Sequence, residues 1–92
     1  MKTMKVFANF RDICGGKTVN VAYEENETIG VILEDLIARF PEMEEELFEN
    51  GRTIRQHVHV FVNGKNVIHL DGLDTVVYPQ DELALFPPVA GG

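Results

Sequence analysis

The chain has 92 residues, 45 % apolar and 25 % charged, and its 15 acidic and 8 basic side chains give a net charge of −7. That length fits one domain hiding roughly 60–65 % of its unfolded surface, enough for a modest core but not for a deep, elaborate active site. The apolar content excludes a disordered chain, and the acidic balance argues against nucleic acid, which needs a basic stripe, while favouring basic protein partners alongside the plainer readings of solubility or a saline cytoplasm.

Met4 to Phe10 is predicted to be a strand, because Met4, Val6, Ala8 and Phe10 alternate with polar neighbours. Phe7 breaks this alternation on the outer face. Gly15-Gly16 supplies a turn, and Thr18 to Tyr23 alternates again as a second strand, completing a hairpin with a long connection from Arg11 to Lys17. Thr28 is a suitable helix N-cap. Behind it Ile29, Ile32, Leu33, Leu36, Ile37 and Phe40 recur at helical spacing, the strongest periodic signal in the chain. Pro41 ends this helix, predicted over Thr28 to Phe40. Glu42 to Glu49 reads as a short second helix on the surface, anchored by Met43, Leu47 and Phe48 and ended by Asn50-Gly51. Arg52 to Gln56 reads as a polar connection.

His57 to Val62 is predicted to be a third strand, with Val58, Val60 and Val62 facing one way and His57, His59 and Phe61 the other. Asn63-Gly64 is the preferred pair for a tight type I′ hairpin turn, with a return strand over Asn66 to Leu70. Asp71-Gly72 turns the chain, Asp74 to Tyr78 reads as a short extended piece, and Glu82 to Phe86 is the last strand. Pro87-Pro88 stops ladder formation and holds the chain extended. Strands grouped around one amphipathic helix give an α+β class. The expected fold is a β-grasp, a mixed sheet of four to five strands wrapped on one main helix, plus the short second helix. The domain is expected over residues 1–88, with 89–92 as a flexible tail. Cys14 is the single cysteine, which excludes an internal disulfide. No segment reads as a signal peptide or reaches the roughly 20 apolar residues that span a bilayer, so a cytoplasmic protein without membrane contact is expected.

The chain closes on Pro87-Pro88-Val89-Ala90-Gly91-Gly92. From average composition, two terminal glycines arise in about 0.5 % of chains. Such a tail is built for access. A carboxylate resists nucleophiles until one oxygen becomes a leaving group, and adenylation by ATP in a partner enzyme's closed site supplies that. Gly91 and Gly92 lack a Cβ, so a narrow channel can close on their backbone. Pro87-Pro88 keeps the tail from folding back. Gly92 is thus the candidate residue for adenylation and covalent attachment, Gly91 its steric enabler, and Pro87, Pro88, Val89 and Ala90 the recognised tail. Leu85 and Phe86 would anchor that tail to the body.

Residues 81–92, Asp-Glu-Leu-Ala-Leu-Phe-Pro-Pro-Val-Ala-Gly-Gly, resemble the C-terminal signature of the MoaD and small archaeal modifier branch of ubiquitin-like β-grasp proteins. Phe7, Phe10, Gly15, Thr18, the Thr28-headed helix with Pro41, and the Asn63-Gly64 turn fit the same pattern, over nearly the whole chain. Gln80 stands where the family pattern often has Gly. The resemblance implies a carrier or co-substrate rather than an enzyme. A ubiquitin-activating-type enzyme would use ATP to adenylate Gly92, with no cofactor bound by the carrier itself. The activated end would then become a thiocarboxylate, donating sulfur to molybdopterin as the small subunit beside the molybdopterin synthase large subunit. Or it would form an isopeptide bond to a target lysine. The thiamine-pathway carrier ThiS is similar in fold but usually lacks a segment like Glu42–Gln56, which weighs against thiamine synthesis. The alternative reading is a non-covalent ubiquitin-like interaction module.

His57 and His59 share a strand face, with His69 on the neighbouring strand, but no further ligand completes a metal site. Phe61 beside His59 suits a partner patch, and the outer sheet face is where partners of ubiquitin-like proteins commonly dock. The partner interface is therefore placed at Phe61, Leu85, Phe86 and His59. The plainer reading packs Phe61 under Glu42–Glu49. Cys14 is expected to be a small apolar filler. The acidic run Glu42, Glu44, Glu45, Glu46 and Glu49 is expected to be a solvated helix face. Lys2, Lys5, Lys17 and Lys65 are taken as ordinary exposed lysines.

Overall fold

The computed structural model describes residues 1–51 and 53–88. The first strand, β1 (Lys2–Val6), turns Met4 and Val6 into the core and Thr3 and Lys5 outward. Lys2 also points inward, and its Nζ donates to the carbonyls of Tyr78 at 2.9 Å and Pro79 at 2.7 Å. It therefore is not the exposed lysine the sequence suggests.

The strand expected to reach Phe10 stops at Val6. Ala8 takes a positive φ of 52°, and the chain enters a helix, α1 (Asn9–Cys14), capped by Gly15 at φ 80°. Phe10 is fully buried by this helix, and Ile13 and Cys14 pack against the core beside it. The spacing of Phe10, Ile13 and Cys14 is helical, one face of a single turn and a half. In sequence it is masked by the strand-like alternation just before it. β2 (Thr18–Val21) then pairs antiparallel with β1.

Helix α2 (Ile29–Arg39) follows the periodic pattern. The Thr28 hydroxyl accepts from the Val31 amide at 3.4 Å, and Ile29, Ile32, Leu33 and Leu36 are fully buried, with Ile37 and Phe40 partly so. Asp35 on its outer side accepts from the Ala22 amide at 2.7 Å and from Arg39 Nε at 2.6 Å. The bond from Ala22, and then that from Arg39, hold this carboxyl below its ordinary pKa. A depressed folded-state pKa means stability that is present above the unfolded value and lost as pH falls through the folded one. Asp35→Ala is therefore expected to lower stability near neutral pH by no more than about 1 kcal/mol, since solvent screens the site. The difference from wild type should fade in urea titrations as pH drops below the ordinary aspartate range.

The second short helix, α3 (Met43–Leu47), is briefer than expected, and Met43 and Leu47 anchor it in the core as expected, fully buried. β3 (Phe48–Glu49) and β4 (Thr53–Ile54) form a small hairpin of their own, with Asn50 and Gly51 at φ 49° and 87° as its turn. Asn50-Gly51 is thus a hairpin turn and not a helix stop, and the expected polar connection contains β4.

β5 (His59–Val62) and β6 (Lys65–Asn66) meet through Asn63 and Gly64 at φ 52° and 83°, the left-handed pair a type I′ turn requires. Gly64→Ala is expected to cost about 1–2 kcal/mol through its left-handed backbone. This would appear as a fall of roughly 4–8 °C in melting temperature per kcal/mol. The expected return strand to Leu70 ends at Asn66, whose Oδ1 accepts from the Ile68 amide at 3.1 Å and turns the chain into a 3₁₀ segment over Val67–His69. From Thr75 the chain runs as the short extended piece expected over Asp74 to Tyr78, with Asp74 itself ending a 3₁₀ turn. A 3₁₀ turn over Gly72–Asp74 is followed by a single bridge from Val76 to Thr28.

The last strand, β7 (Leu83–Phe86), lies parallel to β1 and antiparallel to β5. The resulting five-stranded mixed sheet has the order β2-β1-β7-β5-β6, with α2 on its inner face. This is the expected α+β β-grasp, with α1 and the small hairpin added. No helix among the described residues is long and apolar enough to cross a membrane.

Candidate functional site

Strand alternation builds the site. On β7, Leu83 and Leu85 enter the core while Ala84 and Phe86 face outward; on β5, Val60 and Val62 enter and His59 and Phe61 face outward. Register sets Phe61 opposite Ala84 and His59 opposite Phe86. Phe7, just past β1, lies flat on Phe86, with ring centres 4.1 Å apart and planes 7° from parallel. Phe61 meets Phe86 edge-on at 5.2 Å and 87°, and His59 lies 6.2 Å beyond Phe61. At the other end, the Arg11 guanidinium sits 4.9 Å over the Phe7 ring, and its Nε donates to the Val6 carbonyl at 2.9 Å. Aromatic pairs in these geometries contribute about 0.5–1.5 kcal/mol each beyond their buried area.

The small side chain of Ala84 leaves this aromatic row hollow. An open groove of about 700 Å³ runs along it, lined by Lys5, Phe7, Phe61, Ala84, Phe86 and Pro87 among others. Its walls are half-buried rings, an apolar lining of the kind found in binding grooves. Phe86 ends β7, Pro87 is buried and Pro88 is exposed. The groove therefore adjoins the last described residues, just ahead of Val89 in sequence. Val89, Ala90, Gly91 and Gly92 lie outside the described residues.

Three of the predicted interface residues, Phe61, Phe86 and His59, come together on this face. Leu85 does not belong with them. It is fully buried on the core side of β7, as the strand's alternation requires, and can only pin the strand from within. Phe61 packs against Phe86 on the outer face, not under Glu42–Glu49. His57 is exposed before β5, and His69 sits in the 3₁₀ segment and not on a neighbouring strand. His59 Nδ1 pairs with Asn66 Nδ2 at 2.8 Å. Among the described residues no group of three or more His, Cys, Asp or Glu side chains gathers to hold a metal. Burial raises the Cys14 thiol pKa, the opposite of nucleophile activation. Sequence reasoning missed the roles of Phe7 and Arg11. The available signal was the out-of-phase Phe7 with a cation four residues later, which share a side only if the chain turns helical after Val6.

The fold and the grooved outer face define a ubiquitin-like β-grasp protein. The chain belongs to the ThiS family, which matches residues 4–92. It is 37 % identical over 89 residues to small archaeal modifier protein 3 of Haloferax volcanii, covering 97 % of this chain and 96 % of that one. The crystal structure of SAMP1 from Haloferax volcanii superposes with a TM-score of 0.84 at 33 % identity, covering 99 % of this chain and 98 % of that one. A putative molybdopterin converting factor, subunit 1, from Pyrococcus furiosus gives a TM-score of 0.74 at 28 % identity over 95 % of both chains. The protein is therefore of the class of small ubiquitin-like modifiers and sulfur carriers, which work with protein partners.

Proposed function

We propose that the protein is a carrier whose reagent is the Gly92 carboxylate, adenylated by a ubiquitin-activating-type enzyme in the cytoplasm. A carboxylate oxygen attacks the α-phosphate of ATP, and pyrophosphate leaves. The acyl-adenylate then loses AMP to one of two nucleophiles. A sulfur nucleophile gives a thiocarboxylate, a sulfur donor for molybdopterin synthesis beside a large subunit. A lysine amine gives an isopeptide bond to a target protein. The body is co-substrate and handle, with no catalytic group of its own. Gly91 admits the tail to a narrow channel, and Pro87 to Ala90 are read on the way.

The observation that carries this reading is the continuity of the aromatic face with the tail's origin. Phe86 belongs to the row of rings, and Pro87 follows it on the groove wall. An enzyme that grips the groove holds the tail's root at a fixed distance from its own active site, the positioning that makes a weak nucleophile react. The same groove also suits a non-covalent interaction module, which would have no use for Gly92.

Mass spectrometry of the protein and its cellular conjugates tests the reading and divides its two branches. Thiocarboxylate in place of the terminal carboxylate supports sulfur transfer. Lysines bearing a Gly-Gly remnant support protein modification. A protein recovered from its native cell with neither mark, while its partners still bind, points to the interaction module.

A further inference from the structure

An open strand edge lies at the end of the sheet away from Pro87. β1 ends at Val6, opposite Leu85 of β7 and next to the Phe7–Phe86 stack. It begins at Lys2, whose Nζ holds the carbonyls of Tyr78 and Pro79. The four steps from Lys2 to Val6, at about 3.3 Å each, separate the two ends by roughly 13 Å. Thr75 to Tyr78 runs at the Lys2 end, beside the N-terminus of α2. The Ile29 amide donates to the Thr75 carbonyl at 2.9 Å, and the Val77 amide to the Glu27 carbonyl at 2.8 Å. These bonds flank the Thr28–Val76 bridge, so Thr28 and Val76 are a non-hydrogen-bonded pair and the Val76 N–H and C=O point away from α2. Neither group has a hydrogen-bond partner among the described residues.

The side chains beside this edge are apolar and exposed. Val77 is fully buried, while Val76 and Tyr78 on either side of it face outward. Val31 is exposed on the first turn of α2, and its amide donates to the hydroxyl of Thr28, the residue across from Val76. The charged side chains near them on the chain are Glu24, Glu25, Glu27, Asp71 and Asp74, and none of these has an ion pair among the described residues. Asp71 lies close in space as well as sequence, since its amide donates to the Thr75 hydroxyl at 3.1 Å. No Lys or Arg stands between Lys17 and Arg39 or after Lys65. The nearby cation, Lys2, is buried against its two carbonyls and the Tyr23 ring. Charges within about 8 Å are those a docked segment feels at physiological ionic strength, and here they are carboxylates.

We propose that this edge takes up an extended segment of a partner protein as an added strand, one that alternates apolar side chains with Lys or Arg. Its backbone pairs with the Val76 N–H and C=O, its apolar side chains cover Val76, Tyr78 and Val31, and its cations meet Asp71, Asp74 and Glu25. The partner can sit there while the other end of the sheet is engaged. No part of this binding uses Gly92, so it stands or falls apart from the functional reading.

The test titrates the isotope-labelled full-length protein with a short synthetic peptide alternating valine and lysine, followed by NMR. The peptide is expected to shift the resonances of Val31, Val76 and Tyr78 and to slow exchange of the Val76 amide about 10-fold. The same peptide with glutamate for lysine is expected to do neither. Val76→Pro removes the amide donor and should weaken binding about 10-fold. Thr75 already has the extended backbone, φ −61° and ψ 123°, that a following proline requires. Asp74→Lys should weaken binding by a similar factor and carries the test if thermal melts show Val76→Pro unfolded. Glu44→Lys makes the same change of net charge on α3 and should leave binding unaltered. Equal binding of the two peptides, or an equal loss from Glu44→Lys, overturns the inference. So do shifts confined to the Phe7–Phe86 groove. Shifts at Val31, Val76 and Tyr78 that grow with protein concentration alone would place a second copy on the edge and overturn it too. ATP–pyrophosphate exchange should be the same for Asp74→Lys as for wild type; a raised KM for the carrier would give this edge to the activating enzyme and contradict a separate partner. Absence of exchange with wild type sinks the functional reading and leaves the peptide result to decide this one.

Discussion

Removal of Gly92 is expected to leave the melting temperature unchanged and to cut adenylation by about 100-fold or more. The two halves of that result have separate causes. The described core ends at Leu85, and Pro87 is the last buried residue described, so the described core ends well before the final glycine. On the proposed reading the chemistry depends on it. Each residue of extended chain spans about 3.3–3.6 Å, and loss of one withdraws the carboxylate by that distance from the α-phosphate. A displacement of even 1 Å can cost about 100-fold in rate. The measurement is ATP–pyrophosphate exchange beside a thermal melt of the same variant. A shortened protein that is adenylated at the wild-type rate would show that the end group is not the reagent.

Phe10→Ala should be the most destabilising single change outside the main helix. Phe10 is fully buried and reaches the core from α1. Truncating a buried phenylalanine costs about 3–5 kcal/mol, through lost burial and the cavity left behind. Small domains have only about 5–15 kcal/mol in total. At roughly 4–8 °C per kcal/mol, the melting temperature should fall by about 15–30 °C, measured by circular dichroism. The outcome bears on function as well, because α1 carries Arg11. A loosened α1 would free the guanidinium from Phe7 and blur one end of the aromatic row. A loss below about 1 kcal/mol would mean that Phe10 does not fill the core from a helix.

The elements that sequence made legible are those whose pattern is long enough to exclude a rival. α2 has six apolar positions at helical spacing and a threonine cap, and it lies where expected. The Asn63-Gly64 turn was readable because its backbone needs two left-handed residues and few pairs tolerate that. α1 was masked, since Met4, Val6, Ala8 and Phe10 keep a strand's alternation on one face and only the out-of-phase Phe7 speaks against it. The turn at Ala8 depends on a positive φ that an alanine does not advertise. The run from Val67 to Leu70 looks like a strand, but the Asn66 side chain captures the Ile68 amide and bends it away. β3 and β4 are two residues each, too short for any period to register.

The same logic divides the site. Phe61, Phe86 and His59 were readable as outward-facing because alternation along a strand is strict. That rule also places Leu85 inward, so an interface containing both Leu85 and Phe86 is ruled out by the strand they share. The stacking of Phe7 on Phe86 joins β1 to β7 across 79 positions of sequence, a parallel pairing that no local pattern announces. Arg11 over Phe7 needed α1 first.

One incubation bears most directly on the central claim, that the folded body presents its terminal carboxylate to an activating enzyme. The full-length protein is mixed with its cellular adenylating enzyme and ATP, and the intact mass is read before any nucleophile is added. The account predicts AMP joined to the carboxyl group of Gly92. A carrier that stays unmodified while the same enzyme preparation adenylates another ubiquitin-like protein would contradict it.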